Sequence, residues 1–400
     1  MRTRYPLRLY LAGAVAARTG DEMSGPALML AGFARAGSAT EASALLAGIT
    51  VSAVVGGPVL GVLLDRAGRP GRLLAGALVL YATGLGMILV GLGRLPFAVT
   101  VLIAVLTGLL GPALSGGWTA QLPRVAPGGR LPRANALDAM TFGAASLTGP
   151  ALAGGAAEAL GAPTAVVVAA GLIGLALPAA WMLPARTAPG QGSRAVSVIS
   201  ELAAGARVIA AKRPLARATL SSTVCCAAQG MLATCLALLG ERVLGGAGRG
   251  AMLLSCAAVS ALVANAVLAR FPRLMAPDTV IWAGALVQAA ALALAASGRP
   301  AVLVVAALMA GIGEGPHLAA LFAIRHREAP EHLRGQIFTT GASLKITGFA
   351  LGASVAGPVA DRSLPGALIL AAGVAVLAAL VCFALPSSTG DSSGIRTSAR

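Results

Sequence analysis

Arg18, Asp21 and Glu22 lie close together inside a run that is otherwise apolar. An ionised side chain in hydrocarbon is costly, so charges in such a run either pair with one another or face a cavity and act on protons, ions or substrates. Arg18 can reach Asp21 or Glu22 on one helix face. The group is then either a structural ion pair or a proton-accepting site, with Asp21 the first candidate. Its proton affinity is pulled in opposite directions by burial and by the guanidinium. A second group stands late in the chain. Glu314 sits between Gly313 and Gly315 in an apolar run, and His317 follows one helical turn on, sharing its face. Lys345 is equally deep in the next run. Glu314 and Lys345 form either a satisfied buried pair or, with His317, a second protonatable cluster. Asp138 and Glu158 stand near the two ends of one run, where interfacial positions are expected.

The elements that carry these residues follow from composition. Of 400 residues, 57% are hydrophobic and 11% charged, against about 25% charged in soluble domains. So little charge cannot cover a water-facing surface. Uncharged stretches long enough to cross a ~30 Å hydrocarbon core recur along the chain. They do not alternate in polarity, which argues against a transmembrane barrel. Twelve helical spans are expected, at about 8–34, 43–64, 72–92, 96–120, 135–157, 162–184, 217–240, 249–269, 279–297, 300–323, 335–358 and 364–385. The N-terminal run is broken by Arg18, Asp21 and Glu22 and lacks a clean cleavage site, so it does not read as a removable signal. The five cysteines lie in apolar spans without metal-ligand spacing and read as small buried hydrophobes.

When loops are assigned alternately to two sides, 22 Lys and Arg fall on the side of the N-terminus and 6 on the other. That asymmetry places the first side, and both termini, in the cytoplasm of a plasma-membrane protein. The net charge of +16 is therefore a topology signal with lipid headgroups as neighbours, and nucleic acid is not implied. Residues 196–212 have the pattern of an amphipathic helix on the cytoplasmic surface. They divide the chain into a six-helix bundle at 1–185, a linker at 186–215, a second six-helix bundle at 216–387 and a disordered tail at 388–400. The halves resemble one another: Gly111-Pro112 matches Gly315-Pro316, with Trp118 on Phe322, and Arg133-Ala134-Asn135 matches Arg334-Gly335-Gln336.

The loop between spans 2 and 3 reads Gly61-Val62-Leu63-Leu64-Asp65-Arg66-Ala67-Gly68-Arg69-Pro70-Gly71-Arg72. It resembles the signature loop of the major facilitator superfamily, matching at Gly61, Leu63, Asp65, Arg66, Gly68 and Arg69. Pro70 departs where a basic residue is common, and Arg72 can supply that charge. The resemblance implies an all-α fold of twelve transmembrane helices in two six-helix pseudo-repeats. It also implies a gate in which Asp65 meets the N-terminus of span 11 while Gly61 allows close helix approach. The matching loop of the second half, Arg270 to Asp278, lacks the pattern, so such a gate is lopsided. Span 5 carries Gly149-Pro150 and Gly154-Gly155, similar to a Gly-rich packing motif of drug:proton antiporters, with one extra residue between the pairs. Arg18-Thr19-Gly20-Asp21-Glu22-Met23 looks like the first-span pattern of a bacterial efflux group that includes the enterobactin exporter and macrolide exporters.

Together these resemblances imply proton-coupled efflux of a hydrophobic or amphipathic drug-like or natural-product molecule by a monomer working through alternating access. The partners implied are that small molecule, protons and lipid. By family analogy Trp118, Gln229, His317, Phe322 and Gln336 are the aromatic and polar residues that could line its path. The rest of the lining would be apolar, which suits few hydroxyl-rich ligands. An uptake carrier of the same fold, or a non-transporting membrane sensor, would share most of these features. No H-E-x-x-H, G-x-S-x-G, P-loop or paired metal-ligand pattern occurs, so neither an enzyme nor a cofactor is expected.

Overall fold

The computed structural model describes residues 5–36, 45, 47–185, 198–244 and 247–384, which are almost entirely helical. The first half contains α1 (Leu7–Ala36), α2 (Ala53–Arg66), α3 (Pro70–Gly91), α4 (Phe97–Gly108), α5 (Leu131–Leu160) and α6 (Ala162–Leu175). A linker helix, Val198–Ala211, precedes α7 (Arg213–Leu244), α8 (Ala247–Arg270), α9 (Pro277–Ala295), α10 (Pro300–Glu328), α11 (Arg334–Arg362) and α12 (Leu364–Ala384). The tail expected at 388–400 and the stretch 186–197 lie outside the described residues.

Eight helical segments among the described residues are long and apolar enough to cross a membrane. They are α3, α4 extended to Gly117, α6 extended to Trp181, α7, α8, α9, α10 and α12. The other four, α1, α2, α5 and α11, are not among them. α1 carries Arg18, Asp21 and Glu22, α5 carries Asp138 and Glu158, α11 carries Lys345, and α2 is cut short by a turn at Ser52.

Apolar side chains cover the outside. α12 buries Ala367, Leu368, Ala371, Ala375 and Ala378 and leaves Ile369, Leu370, Leu377, Leu380 and Phe383 exposed. That surface suits lipid, and in lipid burial of apolar area no longer drives helices together. Close packing through small residues does. Between α7 and α11, a Cβ on Gly230, Gly348 or Gly352 would stand 1.9–2.4 Å from a carbonyl oxygen of the facing helix. A side chain at any of the three would push these helices apart.

Two cores result. One gathers Tyr10, Leu28, Leu74, Leu78, Trp118 and Ile173 from α1–α6 and the segment after α4. The other gathers Met231, Leu239, Leu292, Leu303 and Leu368 from the second half. A third cluster crosses between them, joining Ala136 and Ala139 of α5 to Ala269 of α8, Phe322 of α10 and Phe338 of α11.

The two Gly-Pro pairs behave differently. After α4, Pro112 lacks an N–H to continue the ladder, and the chain re-forms as a π-turn over Ala113–Gly117. There Gly116 meets the backbone of α11, where a Cβ would lie 2.4 Å from the Phe338 carbonyl oxygen. Pro316 instead sits inside the continuous helix α10. Several helices also outrun their expected limits, two of them where it moves a charge inward. α5 begins at Leu131 rather than 135, and α10 continues to Glu328 rather than stopping at 323.

Candidate functional site

The halves meet along a seam that is closed at the end carrying the Gly61–Arg72 loop. Asp65, at the end of α2, accepts hydrogen bonds from the backbone N–H groups of Gly335 and Gln336, both at 2.8 Å. These are orphan donors of the first turn of α11, so a carboxylate there satisfies them and complements the helix dipole. Glycine makes the approach possible. A Cβ on Gly61 would stand 2.3 Å from Gln336 Cα, and one on Gly57 2.5 Å from the Thr339 carbonyl oxygen. The linker helix adds a clamp. Arg66 Nε donates to Glu201 at 2.8 Å, and the Gln336 amide donates to the Leu202 carbonyl at 3.1 Å. Arg72 lies 5.2 Å over the Trp181 ring, while Gly68 and Arg69 are exposed.

Arg18 does not pair with its own helix. Its Nη1 donates to Asp138 Oδ1 of α5 at 2.9 Å, and the two side chains are 2% and 0% exposed. Nη1 also bonds the Thr141 hydroxyl, and Nη2 donates to the Thr119 hydroxyl at 2.8 Å. Thr119 in turn donates to Asp138 Oδ2 at 2.8 Å. The guanidinium lies 3.7 Å over the Phe142 ring. Asp138 is therefore not interfacial. Because α5 starts early, Asp138 lies two turns inside it, facing α1. Glu158, at the far end of α5, is exposed.

With Arg18 engaged elsewhere, the two acids of α1 have separate surroundings. Asp21 Oδ1 accepts from the Tyr81 hydroxyl of α3 at 2.8 Å, and that hydroxyl lies 3.1 Å from Ser24 Oγ. Glu22 turns toward the other half. It accepts from Ser146 of α5 at 3.3 Å and interacts electrostatically with Glu314 of α10 and Lys345 of α11. Glu314 also interacts with Lys345. Glu22, Ser146 and Glu314 are exposed and Lys345 is half-buried, so two acids and one base from opposite halves share accessible space. His317 is buried with its Cβ against Gly284 of α9, within electrostatic reach of Lys345.

The glycine pairs of α5 part company. A Cβ on Gly149 would stand 2.7 Å from Glu22 Cβ, so Gly149 sets the approach of α5 to α1 beside that acid. Pro150, Gly154 and Gly155 are exposed, and the two glycines have nothing within 4 Å. The packing role expected at Gly154 and Gly155 is not made in this arrangement. Gly357 of α11 is equally open. The seam is thus tight at one end and unfilled toward the other. Of the expected lining residues, Trp118 is fully buried in the first-half core against Tyr10, and Gln336 is buried at the closed end. Phe322 is buried in the cluster that crosses the seam, and Gln229 bonds Gln288 within the second half at 3.1 Å.

Residues 10–344 match the sequence profile of the Major Facilitator Superfamily. The chain belongs to the Major Facilitator Superfamily. It is a multi-pass membrane transporter and not an enzyme, and transporters of this superfamily act on small molecules. The facilitator is 28% identical over 355 residues to the uncharacterized MFS-type transporter y4rN of Sinorhizobium fredii, covering 86% of this chain and 87% of that protein. Its fold is similar to that of the human organic anion transporter MFSD10, with a TM-score of 0.76 at 16% identity over 96% of this chain and 100% of the other. The E. coli fucose:proton symporter FucP superposes with a TM-score of 0.71 at 14% identity over 96% and 100%. At such identities the likeness is one of fold.

Sequence reasoning missed two residues in this facilitator. Asp138 reads as interfacial because the expected span begins at 135, and nothing local marks it as the acceptor of Arg18. Arg325 reads as a loop charge, yet the extension of α10 carries it into the protein, where it is 2% exposed. The sequence holds no local signal for that.

Proposed function

We propose that this facilitator is a proton-coupled exporter of an amphipathic or hydrophobic molecule in the plasma membrane, working as a monomer. The positive-inside asymmetry assigns the closed, basic end and both termini to the cytoplasm. In this assignment the Asp65 contacts latch the cytoplasmic side shut, and the accessible space around Glu22, Glu314 and Lys345 faces outward. The observation that carries the reading is the grouping of Glu22 and Glu314 from opposite halves in that space. Two carboxylates near one lysine cannot both be neutralised by it, so one has reason to bind a proton before the halves close around it. Protonation outside then favours substrate release and closure, and proton loss to the cytoplasm resets the carrier. Asp21, held by Tyr81, is the other proton-accepting candidate. The first-span resemblance to bacterial exporters supports the outward direction.

The test uses everted membrane vesicles from cells expressing the full chain, energised with a proton gradient and offered a panel of fluorescent lipophilic dyes. Gradient-driven accumulation is expected for the wild type. It should be lost in Asp21→Asn and Glu314→Gln, while exchange of dye across the membrane without a gradient persists. Accumulation insensitive to both substitutions would remove these acids from coupling. Gradient-driven uptake of nutrients into intact cells, with no dye export, would reverse the direction.

A further inference from the structure

A row of rings crosses the seam between the halves. Phe142 of α5 lies 5.6 Å from Phe322 of α10, Phe322 lies 6.0 Å from Phe338 of α11, and Phe338 lies 4.4 Å from the His326 imidazole. Each end is covered by a buried guanidinium, with Arg18 at 3.7 Å over Phe142 and Arg325 at 5.8 Å over Phe338. Arg18 has its carboxylate. Arg325 has none among the described residues. Its Nε and Nη2 are buried with no hydrogen-bond partner there, and the ionisable group acting on it is the thiol of Cys226. Both ring nitrogens of His326 are also unpartnered among the described residues. His326 lies within electrostatic reach of Arg325 and Arg334, which makes the surroundings basic. Gly341 leaves the room the guanidinium occupies, since a Cβ there would stand 2.2 Å from Nη2.

A guanidinium offers five donors in a planar fork and is always charged. Holding it in a dry interior without an anion is unfavourable, and a merely structural role would be better served by an apolar side chain. Phe142 belongs to the first half and the other rings to the second, so parting the halves at this end separates Phe142 from Phe322. The Arg18–Asp138 pair then stays neutral on its own half. Arg325 comes to the opened space with aromatic faces beside it and no carboxylate of its own.

We infer that Arg325, with Phe322 and Phe338, forms a binding site for an aromatic organic anion, presented when the basic end of the facilitator opens. The guanidinium pairs with a carboxylate or similar group in bidentate fashion, and the ring of the ligand takes the place that Phe142 leaves. This rests on the transport reading and narrows its cargo to amphipathic anions.

The test measures binding of naphthoate, naphthylmethanol and naphthylmethylamine to the purified full chain in detergent. Wild type should prefer naphthoate to the alcohol and the amine by about tenfold or more. Arg325→Gln should remove that preference, and Arg325→Lys should restore part of it. Cys226→Asp supplies a carboxylate to Arg325 from within and should also remove it, so the test stands even if Arg325→Gln does not fold. Equal binding of acid and alcohol by wild type, or unchanged naphthoate preference in the folded variants, overturns the site. Loss of gradient-driven transport with naphthoate binding intact would sink the transport reading and leave the site standing.

Discussion

Arg18 and Arg325 lie against the same aromatic row, equally buried, and among the described residues Arg18 has a carboxylate while Nε and Nη2 of Arg325 have no acceptor. Arg18 is held by Asp138, Thr119 and Thr141, so its charge is spent within the first half. Among the described residues, Arg325 has two unpartnered nitrogens and no carboxylate within electrostatic reach. The loops show the same division with the roles exchanged. Asp65 of the first half reaches across the seam to the α11 backbone. Asp278, in the corresponding loop of the second half, pairs with Arg217 and Arg327 of its own half. The pseudo-repeat thus keeps its helices and has redistributed its charges. One half contributes the Arg18–Asp138 pair and the Asp65 contacts across the seam, and the other keeps a buried guanidinium with two nitrogens unpartnered among the described residues.

The largest effect expected from this contrast is in the first half. Asp138→Ala leaves the Arg18 guanidinium buried without its carboxylate, at a cost of about 3–5 kcal/mol. A strong drop in the melting temperature of the purified protein would report it. Replacing both partners with leucine should recover much of that loss, since no charge is then stranded. If Asp138→Ala melted like wild type, Arg18 would be no better anchored than Arg325 and the contrast would collapse.

The second half should respond with the opposite sign. Arg325→Leu removes a buried guanidinium whose Nε and Nη2 have no acceptor among the described residues, and should raise stability by about 1–3 kcal/mol. The same thermal melt reads it, compared directly with Arg18→Leu, which should destabilise. A destabilised Arg325→Leu would mean that the guanidinium is anchored in the closed state after all, and the anion site would lose its main support.

How much of this was legible depends on the range of the interaction. Eight of the twelve helices follow from apolar length, because lipid demands it, and the other four carry charges or fall short of the length. Asp65 against the start of α11 was readable because a recurring loop motif carries a non-local contact in local form. Arg18–Asp138 was not readable, since spacing along one helix favours Asp21 and Glu22 as partners, and the true partner lies 120 residues away. Asp138 and Arg325 were both misplaced for the same reason. A boundary error of a turn converts an interfacial charge into a buried one, and helix ends are fixed by capping and packing rather than by hydropathy. Gly149, Gly154 and Gly155 share a motif, yet only Gly149 is packed. Small-residue spacing states that a helix can be approached, not which state of the protein approaches it.

The smallest and sharpest expectation concerns the rings themselves. Cation–π attraction falls steeply with separation and is strongest for a desolvated pair, where it reaches about 1–2 kcal/mol. Arg18 stands 3.7 Å from the Phe142 centroid, while Arg325 stands 5.8 Å from that of Phe338. Single phenylalanine substitutions would mix this term with cavity formation, which differs because Phe338 is the more deeply buried. Double-mutant cycles cancel the cavity. The cycle of Arg18→Leu with Phe142→Leu should return a coupling of about 1 kcal/mol or more, and that of Arg325→Leu with Phe338→Leu less than about 0.5 kcal/mol. Equal couplings would show that Phe338 already holds Arg325 as firmly as Phe142 holds Arg18. The second arginine would then be committed to the closed state, and an incoming anion would have to displace a ring before it could bind.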